Sequence, residues 1–155
     1  MNANVAHAGL IMKTIYYVLS TVLLTASSIA TAQMPPADVA TYQALGAGPG
    51  IKTIVKDFIA LMLADDRIKE SFQDSDLKNL ARRLEEQFCQ LSGGPCIYKG
   101  KDMKEIHDGL NITNAQFNAV AEHLQVAMER ASVPSRHQNK LLARLAAMQR
   151  TIVTK

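Results

Sequence analysis

The residues whose types and spacing favour chemistry lie in one short stretch, residues 103–113. Met103, Lys104 and His107 are three and four residues apart, so they share one face if the stretch is helical. A neutral imidazole is a common metal ligand, methionine adds a soft apolar contact, and lysine adds a cation. Such a face suits haem, a flat apolar disc with iron and acidic edge groups. The alternative is a structural histidine, and spacing alone does not decide between the two.

Composition limits the classes of protein to consider. The chain has 155 residues, enough for one domain, and 48% of them are hydrophobic, which is ordinary for a globular protein. The formal net charge is +3, and no dense basic cluster accompanies it. The sequence therefore predicts no nucleic-acid partner.

The N-terminal residues 1–32 have the pattern of a secretory signal peptide. Lys13 gives a positive start, residues 14–24 are largely apolar, and Ala30-Thr31-Ala32 is a small-residue cleavage pattern. Residues 1–11 precede that start and are interpreted as an over-extended gene start. The alternative is an uncleaved membrane anchor, which would be the protein's one contact with a membrane, but the apolar run is short for a spanning helix.

Cleavage after Ala32 would remove Lys13 and lower the formal charge from +3 to +2. Residues 33–40, which contain Pro35 and Pro36, are predicted to form a flexible leader, and residues 41–155 the folded domain. A cleaved signal peptide predicts an exported protein, with the periplasm as its expected location.

Two cysteines, Cys89 and Cys96, lie in the mature part. An oxidising compartment favours a disulfide between them, and Gly93-Gly94-Pro95 can turn the chain so that their Cα atoms come within about 7 Å. Free buried thiols are the alternative. A zinc site is disfavoured because the pair lacks further ligands at a suitable spacing.

Apolar residues recur at helical spacing along the mature chain, and no stretch is typical of a strand, so the predicted fold class is all-α. Four long helices and two or three short ones are expected. The segment Asp74-Ser75-Asp76 and a capping box of Thr113 with Gln116 predict two helix starts. The predicted long helices cover residues 51–64, about 77–91, from 114 onward, and from Pro134 to Ile152.

The order of several motifs resembles that of the group I truncated haemoglobins, which have a two-over-two helical globin fold. The resemblance covers about residues 42–153, and it rests on the combined order because no single motif is specific. The motifs are the glycine corner at residues 46–50, Asp57-Phe58, Leu63-Ala64-Asp65-Asp66-Arg67-Ile68 before Phe72, Gly93-Gly94, Tyr98-Lys99-Gly100, Met103-Lys104 before His107, Gly109 through Ile112-Thr113, and Val133-Pro134.

This resemblance implies haem b as the cofactor and His107 as the axial iron ligand. It implies that side chains from several helices enclose the haem and that a few polar groups meet its propionates. The expected contacts are Phe58, Ile59 and Phe72, then Leu80, Leu84 and Phe88 on the ligand side, then Met103, Ile106, Ile112, Phe117 and Val120 on the histidine side, with Tyr98, Lys104 or Arg83 at the propionates.

The sequence departs from the family on the ligand side of the haem. The family commonly has a tyrosine where Ile59 stands and a glutamine where Leu84 stands, and the gate position, Leu80, is also aliphatic. A hydrogen-bond donor to bound O₂ contributes on the order of 1–3 kcal/mol. Without one, we expect fast O₂ release, ready oxidation and nearly unchanged CO binding. Arg83 and Gln87 are candidates for a donor from elsewhere.

No histidine stands at the matching positions on the ligand side, so an open sixth site on ferrous iron is expected. His123 and His137 are interpreted as structural or surface residues.

The predicted function is binding of O₂, NO or CO. Alternatives are a haem redox or electron-transfer protein with a reductase partner, an enzyme that oxidises NO or removes peroxide, and a helical interaction module without cofactor.

Overall fold

The computed structural model describes residues 38–155, and within them every regular element is helical. The prediction of an all-α fold is therefore confirmed. The predicted signal peptide and residues 33–37 of the predicted leader lie outside the described residues. Among residues 38–155, no helix is long and apolar enough to cross a bilayer. The elements are α1 (Val39–Ala44), α2 (Ala47–Ala64), a 3₁₀ turn (Lys69–Phe72), α3 (Leu77–Leu91), α4 (Met103–His107), α5 (Asn114–Arg130), α6 (Ser135–Ala146) and α7 (Gln149–Ile152).

Four long helices form the body of the fold in two pairs. Helix α2 packs against both α3 and α5, and α6 packs against α5 and α3. The pair α2–α3 therefore lies over the pair α5–α6, which is the expected two-over-two arrangement. The buried centre takes residues from all four helices, and it includes Ile51, Ile54, Val55, Phe58, Phe88, Leu124, Met128 and Leu141.

Helix α2 begins at Ala47, four residues before the predicted start. Gly46 takes a left-handed conformation with φ +80°, and Pro49 lies in the first turn, where a missing N–H is tolerated. At Gly50 a Cβ atom would lie 2.1 Å from the carbonyl oxygen of Leu45. The glycine corner therefore lets α1 and α2 approach each other closely, and it belongs partly to the helix.

The starts of α3 and α5 agree with the sequence signals. The Asp76 carboxylate accepts a hydrogen bond from the Asn79 backbone N–H at 3.0 Å. Thr113 and Gln116 form the predicted capping box, each side chain bonded to the other's backbone N–H. These bonds satisfy N–H groups that the helix itself leaves without partners.

The prediction of one continuous last helix is wrong. Helix α6 ends at Ala146, and α7 begins at Gln149 after a turn that contains neither glycine nor proline. Helix α7 packs against α4. The backbone N–H groups of Thr154 and Lys155 donate to the carbonyl oxygen of Ile112 at 3.0 and 3.2 Å. The bend therefore turns the C-terminal residues back onto the segment that follows α4.

A chain of hydrogen bonds from Asp38 through Thr41 to His137, here called the polar relay, attaches α1 to α6. The Thr41 hydroxyl donates to the Asp38 carboxylate at 2.8 Å and lies 3.0 Å from Nδ1 of His137, which is buried. Because Nε of Arg136 donates to Nε2 of His137 at 2.9 Å, the imidazole proton lies on Nδ1. Lys140 pairs with Asp38 and lowers the pKa of that carboxyl to about 2. Residues 38–40, predicted as leader, thus take part in the fold.

Candidate functional site

A cavity of about 1090 Å³ opens between the helices, and its wall is mainly apolar. It is lined from α2, the 3₁₀ turn, α3, the loop before α4, and α4 to α7. Thirteen of the fifteen residues predicted to contact a cofactor line this wall. They are Phe58, Phe72, Leu80, Arg83, Leu84, Phe88, Tyr98, Met103, Ile106, His107, Ile112, Phe117 and Val120.

His107 is the last residue of α4 and lies half-buried in the cavity wall. Its Nδ1 lies 2.7 Å from the backbone oxygen of Met103. A carbonyl oxygen can only accept, so Nδ1 carries the ring proton and Nε2 keeps its lone pair. Helix α4 itself starts at an N-cap, where the Asp102 carboxylate accepts from the Glu105 N–H at 2.7 Å. The imidazole is therefore held in the tautomer that binds metals through Nε2.

Helix α3 presents an apolar surface to the cavity. Leu80, Leu84 and Phe88 are spaced four residues apart, so they lie along one face, and all three line the wall. Gln87, one of the two candidates for an unexpected donor, also lines the wall and is only 8% exposed. This face of α3 is thus aliphatic and aromatic with one buried amide, and the same helix adds the polar side chains of Asn79 and Arg83 to the wall.

The polar part of the wall includes Arg83 and the loop before α4. Arg83 donates to Glu86 at 2.8 Å, and Glu86 also accepts from the Lys99 backbone N–H at 3.2 Å. The Arg83 guanidinium, more than any other group, holds the pKa of Glu86 below its usual range. Burial raises the pKa of Tyr98, whose hydroxyl donates to the Lys101 carbonyl oxygen at 3.0 Å. Glu86 therefore ties the loop to α3 and fixes one side of Arg83.

Two predicted contacts do not line the cavity. Ile59 is half-buried and packs against the hydrophobic core between the helices. It lies about 100° around α2 from Phe58, which does line the wall. Lys104 is exposed on the single turn of α4 and is absent from the wall, although Met103 and His107 both belong to it. Ile59 and Lys104 therefore lie outside the cavity wall, unlike the other expected contacts.

Other wall residues were not predicted as contacts. Several come from α6 and from the bend after it, which the sequence does not signal with a glycine or proline. The apolar spacing of these residues indicates the buried faces of helices, but it does not show which buried face lines a cavity. These residues include Met62, Leu142, Leu145, Met148 and Ile152.

Cys89 and Cys96 are bonded to each other in the structure, with their Cα atoms 5.7 Å apart. Cys89 belongs to α3, and Cys96 lies in the loop that leads to α4. That loop contains Tyr98 and leads into α4, the helix that contains His107. The bond therefore connects the two segments that supply much of the cavity wall.

These features fit a haem group. The cavity volume of about 1090 Å³ lies slightly above the ~300–1,000 Å³ that small-molecule and cofactor sites commonly occupy, so it is large enough for haem. The wall offers one imidazole nitrogen with a free lone pair, an apolar surround, and cations such as Arg83, Lys99 and Lys101 for acidic edge groups. Iron in a porphyrin has four nitrogens from the ring, so one protein imidazole suffices as its further ligand.

Comparison with known proteins agrees with this geometry. The family model described as bacterial-like globin matches residues 40–154. The group 1 truncated hemoglobin GlbN of Mycolicibacterium paratuberculosis is 32% identical over 113 residues, which is 73% of this chain and 83% of that protein. The truncated hemoglobin of Tetrahymena pyriformis in its Fe(III) form superposes with a TM-score of 0.71 at 30% identity, covering 74% of this chain and 98% of the other.

A second solved structure matches in fold alone. The 2/2 hemoglobin of Synechococcus sp. PCC 7002 gives a TM-score of 0.68 at 20% identity, over 74% of this chain and 98% of that one. The helical pairs, the cavity and the sequence matches lead to one assignment. This chain belongs to the bacterial-like globin family, and it is a haem-binding globin of the truncated haemoglobin type.

Proposed function

We propose that the cavity binds haem b, that Nε2 of His107 is the protein ligand of the iron, and that diatomic gases bind at the face of the iron toward α3. The observation that carries this proposal is the hydrogen bond from Nδ1 of His107 to the Met103 carbonyl oxygen, 2.7 Å long. Metal-bound histidines ordinarily donate their second N–H to such an acceptor, which fixes the ring and its tautomer. Nε2 is then available on a cavity wall of suitable size.

The propionates would meet the polar part of the wall. Arg83, Lys99 and Lys101 supply cations there, and Tyr98 supplies a hydroxyl. Charge-assisted hydrogen bonds to propionates would orient the ring, and the apolar wall would supply most of the binding free energy through burial. Glu86 competes for Arg83, since it already holds one side of the guanidinium at 2.8 Å.

Leu80 and Leu84 support the proposal that O₂ is released quickly and that CO binding is nearly unaffected. Neither side chain can donate a hydrogen bond to the partial negative charge on bound O₂. A short-lived O₂ complex is a poor basis for fast NO oxidation. Binding, sensing or redox exchange is therefore favoured over rapid turnover, and a reductase would serve to return oxidised iron to the ferrous state.

The test of the site begins with haem titration into the purified chain. The wild type should gain an intense Soret band and a ferrous–CO spectrum typical of histidine-ligated iron. His107→Ala should lose the histidine-ligated spectrum and regain it when imidazole is added. His123→Ala is the matched control, because His123 pairs with Asp65 and does not line the cavity. An unchanged spectrum in His107→Ala, or a wild type that takes up no haem, would overturn the proposal.

We further propose that the protein is exported to the periplasm and that the disulfide forms there. Residues 1–32 support export through their signal-peptide pattern, and a bonded pair of cysteines suits an oxidising compartment. Intact mass of the unreduced, alkylated protein from the periplasmic fraction should correspond to a start at Gln33 with no alkylated thiol. Protein that stays in the cytoplasm at full length, or that carries two alkyl groups, would contradict this.

A further inference from the structure

Gln87 is unusual among the residues of the cavity wall. Within residues 38–155, it is the wall residue that combines a polar side chain with near-complete burial, at 8% exposure. Removing a primary amide from water costs free energy unless strong partners replace the water. A leucine at this position would avoid that cost. A directional contact is what glutamine adds to this part of the wall.

The contacts of the Gln87 amide are two thioether sulphurs. Its Nε2 lies 3.3 Å from Sδ of Met103 and 3.9 Å from Sδ of Met148. Thioethers are weak acceptors, so these bonds are modest in energy. Their value is geometric, because Met103 begins α4 and Met148 immediately precedes α7. One side chain of α3 therefore contacts residues at the starts of both short helices.

Helix α4 needs such external contacts. It has five residues, and none of them is buried. A helix of one turn does not hold its own position, because nucleation is unfavourable and few hydrogen bonds form. The Met103 carbonyl oxygen accepts the Nδ1 proton of His107. A displacement of Met103 would therefore rotate the imidazole or weaken the bond that fixes its tautomer.

We infer that Gln87 is a positioning residue for His107. Its amide holds the Met103 side chain between α3 and α7, and the Met103 carbonyl in turn fixes the imidazole that faces the cavity. This inference rests on the proposed function, since it concerns the nitrogen that would bind the iron. It also assigns Gln87 a role different from that of a donor to bound gas, because the amide reaches toward the helix that carries the histidine.

The test is a double-mutant cycle with Gln87→Leu, Met103→Leu and both together, read by resonance Raman spectroscopy of the ferrous haem protein. Each single variant should shift or broaden the iron–histidine stretching band and change the midpoint potential. The double variant should change them no more than the larger single effect, because both substitutions break one contact. Gln43→Leu is the control for the exchange of glutamine for leucine, since Gln43 is exposed on α1 and does not line the cavity.

Two results would overturn the inference. If Gln87→Leu accelerates O₂ dissociation and leaves the iron–histidine band unchanged, the amide is a donor to the bound gas. If it lowers the melting temperature and leaves band and potential unchanged, the amide has a packing role alone. In haem-free protein the same cycle should show a non-additive free energy of unfolding. Failure of the proposed function is recognised separately, because the wild type would then show no iron–histidine band.

Discussion

The side chain of Leu84 on α3 affects how firmly bound O₂ could be held. It lines the cavity one helical turn from Leu80, and neither side chain carries a hydrogen-bond donor. Bound O₂ would therefore be held by the iron and by apolar contacts, unless a neighbouring group reaches it. Arg83 is partly engaged by Glu86, and Gln87 contacts Met103 and Met148.

We predict that Leu84→Gln slows O₂ dissociation roughly tenfold, because one added hydrogen bond contributes about 1 kcal/mol or slightly more. CO dissociation should change much less, since bound CO carries little charge. The measurement is stopped-flow displacement of O₂ by CO from the ferrous protein. Leu84→Met controls for the change of shape and should leave the O₂ rate nearly unaltered. A wild type that already releases O₂ slowly would show that a donor is present.

At the scale of elements, the loop between α3 and α4 depends on three kinds of link. The disulfide ties Cys96 to α3, Glu86 accepts from the Lys99 backbone, and the Gln90 side chain accepts from the Tyr98 backbone. These links lie within a few residues of each other, so they hold the loop as a unit. Because the loop leads directly into α4, it positions that helix at the cavity wall.

Replacing both cysteines, in Cys89→Ala with Cys96→Ala, should lower the free energy of unfolding by roughly 2–3 kcal/mol. The estimate follows from the entropy that a cross-link over so short a loop removes from the unfolded chain. Urea unfolding in the absence of reductant measures it. The wild type with a strong dithiol should approach the variant, and the variant itself should not respond to the dithiol. An unaltered midpoint in the variant would contradict the prediction.

At the scale of the whole molecule, α1 is attached to α6 by the relay from Asp38 to His137. Asp38 has its pKa lowered from 3.8 to about 2, chiefly by its hydrogen bond with Lys140. A lowered pKa means that the ionised carboxylate stabilises the folded state. That contribution is complete above the unfolded pKa and is lost as the pH falls through the folded value.

Asp38→Asn should therefore lower the melting temperature near neutral pH, and the difference from wild type should shrink as the pH falls below 3.8 toward 2. Thermal melts followed by circular dichroism across this range measure the difference. Asp74→Asn is the control, because Asp74 is exposed and has no described hydrogen bond, and it should track the wild type throughout. A difference that does not depend on pH would contradict the assignment to the carboxylate.

Much of this architecture is predictable from the sequence because the information is local. The caps at Asp76 and Thr113 mark their helices, and spacing places Leu80, Leu84 and Phe88 on one face. The turn after Ala146 has no such signal, since its cause is the packing of α7 on α4. Ile59 packs against the core, while its neighbour Phe58 lines the cavity. Neighbouring residues on a helix face different surroundings, and only the assembled fold shows which direction leads to the cavity.

The carbonyl partner of His107 also limits the reactivity of the site. A peptide oxygen takes up a proton far less readily than a carboxylate, so this hydrogen bond leaves the proton on Nδ1. A neutral ring lends little electron density to a metal, in contrast to a thiolate. If peroxide bound to such a metal, the imidazole would do little to promote cleavage of its O–O bond. Under the proposed function, this hydrogen bond would favour reversible binding of small molecules over cleavage of peroxide.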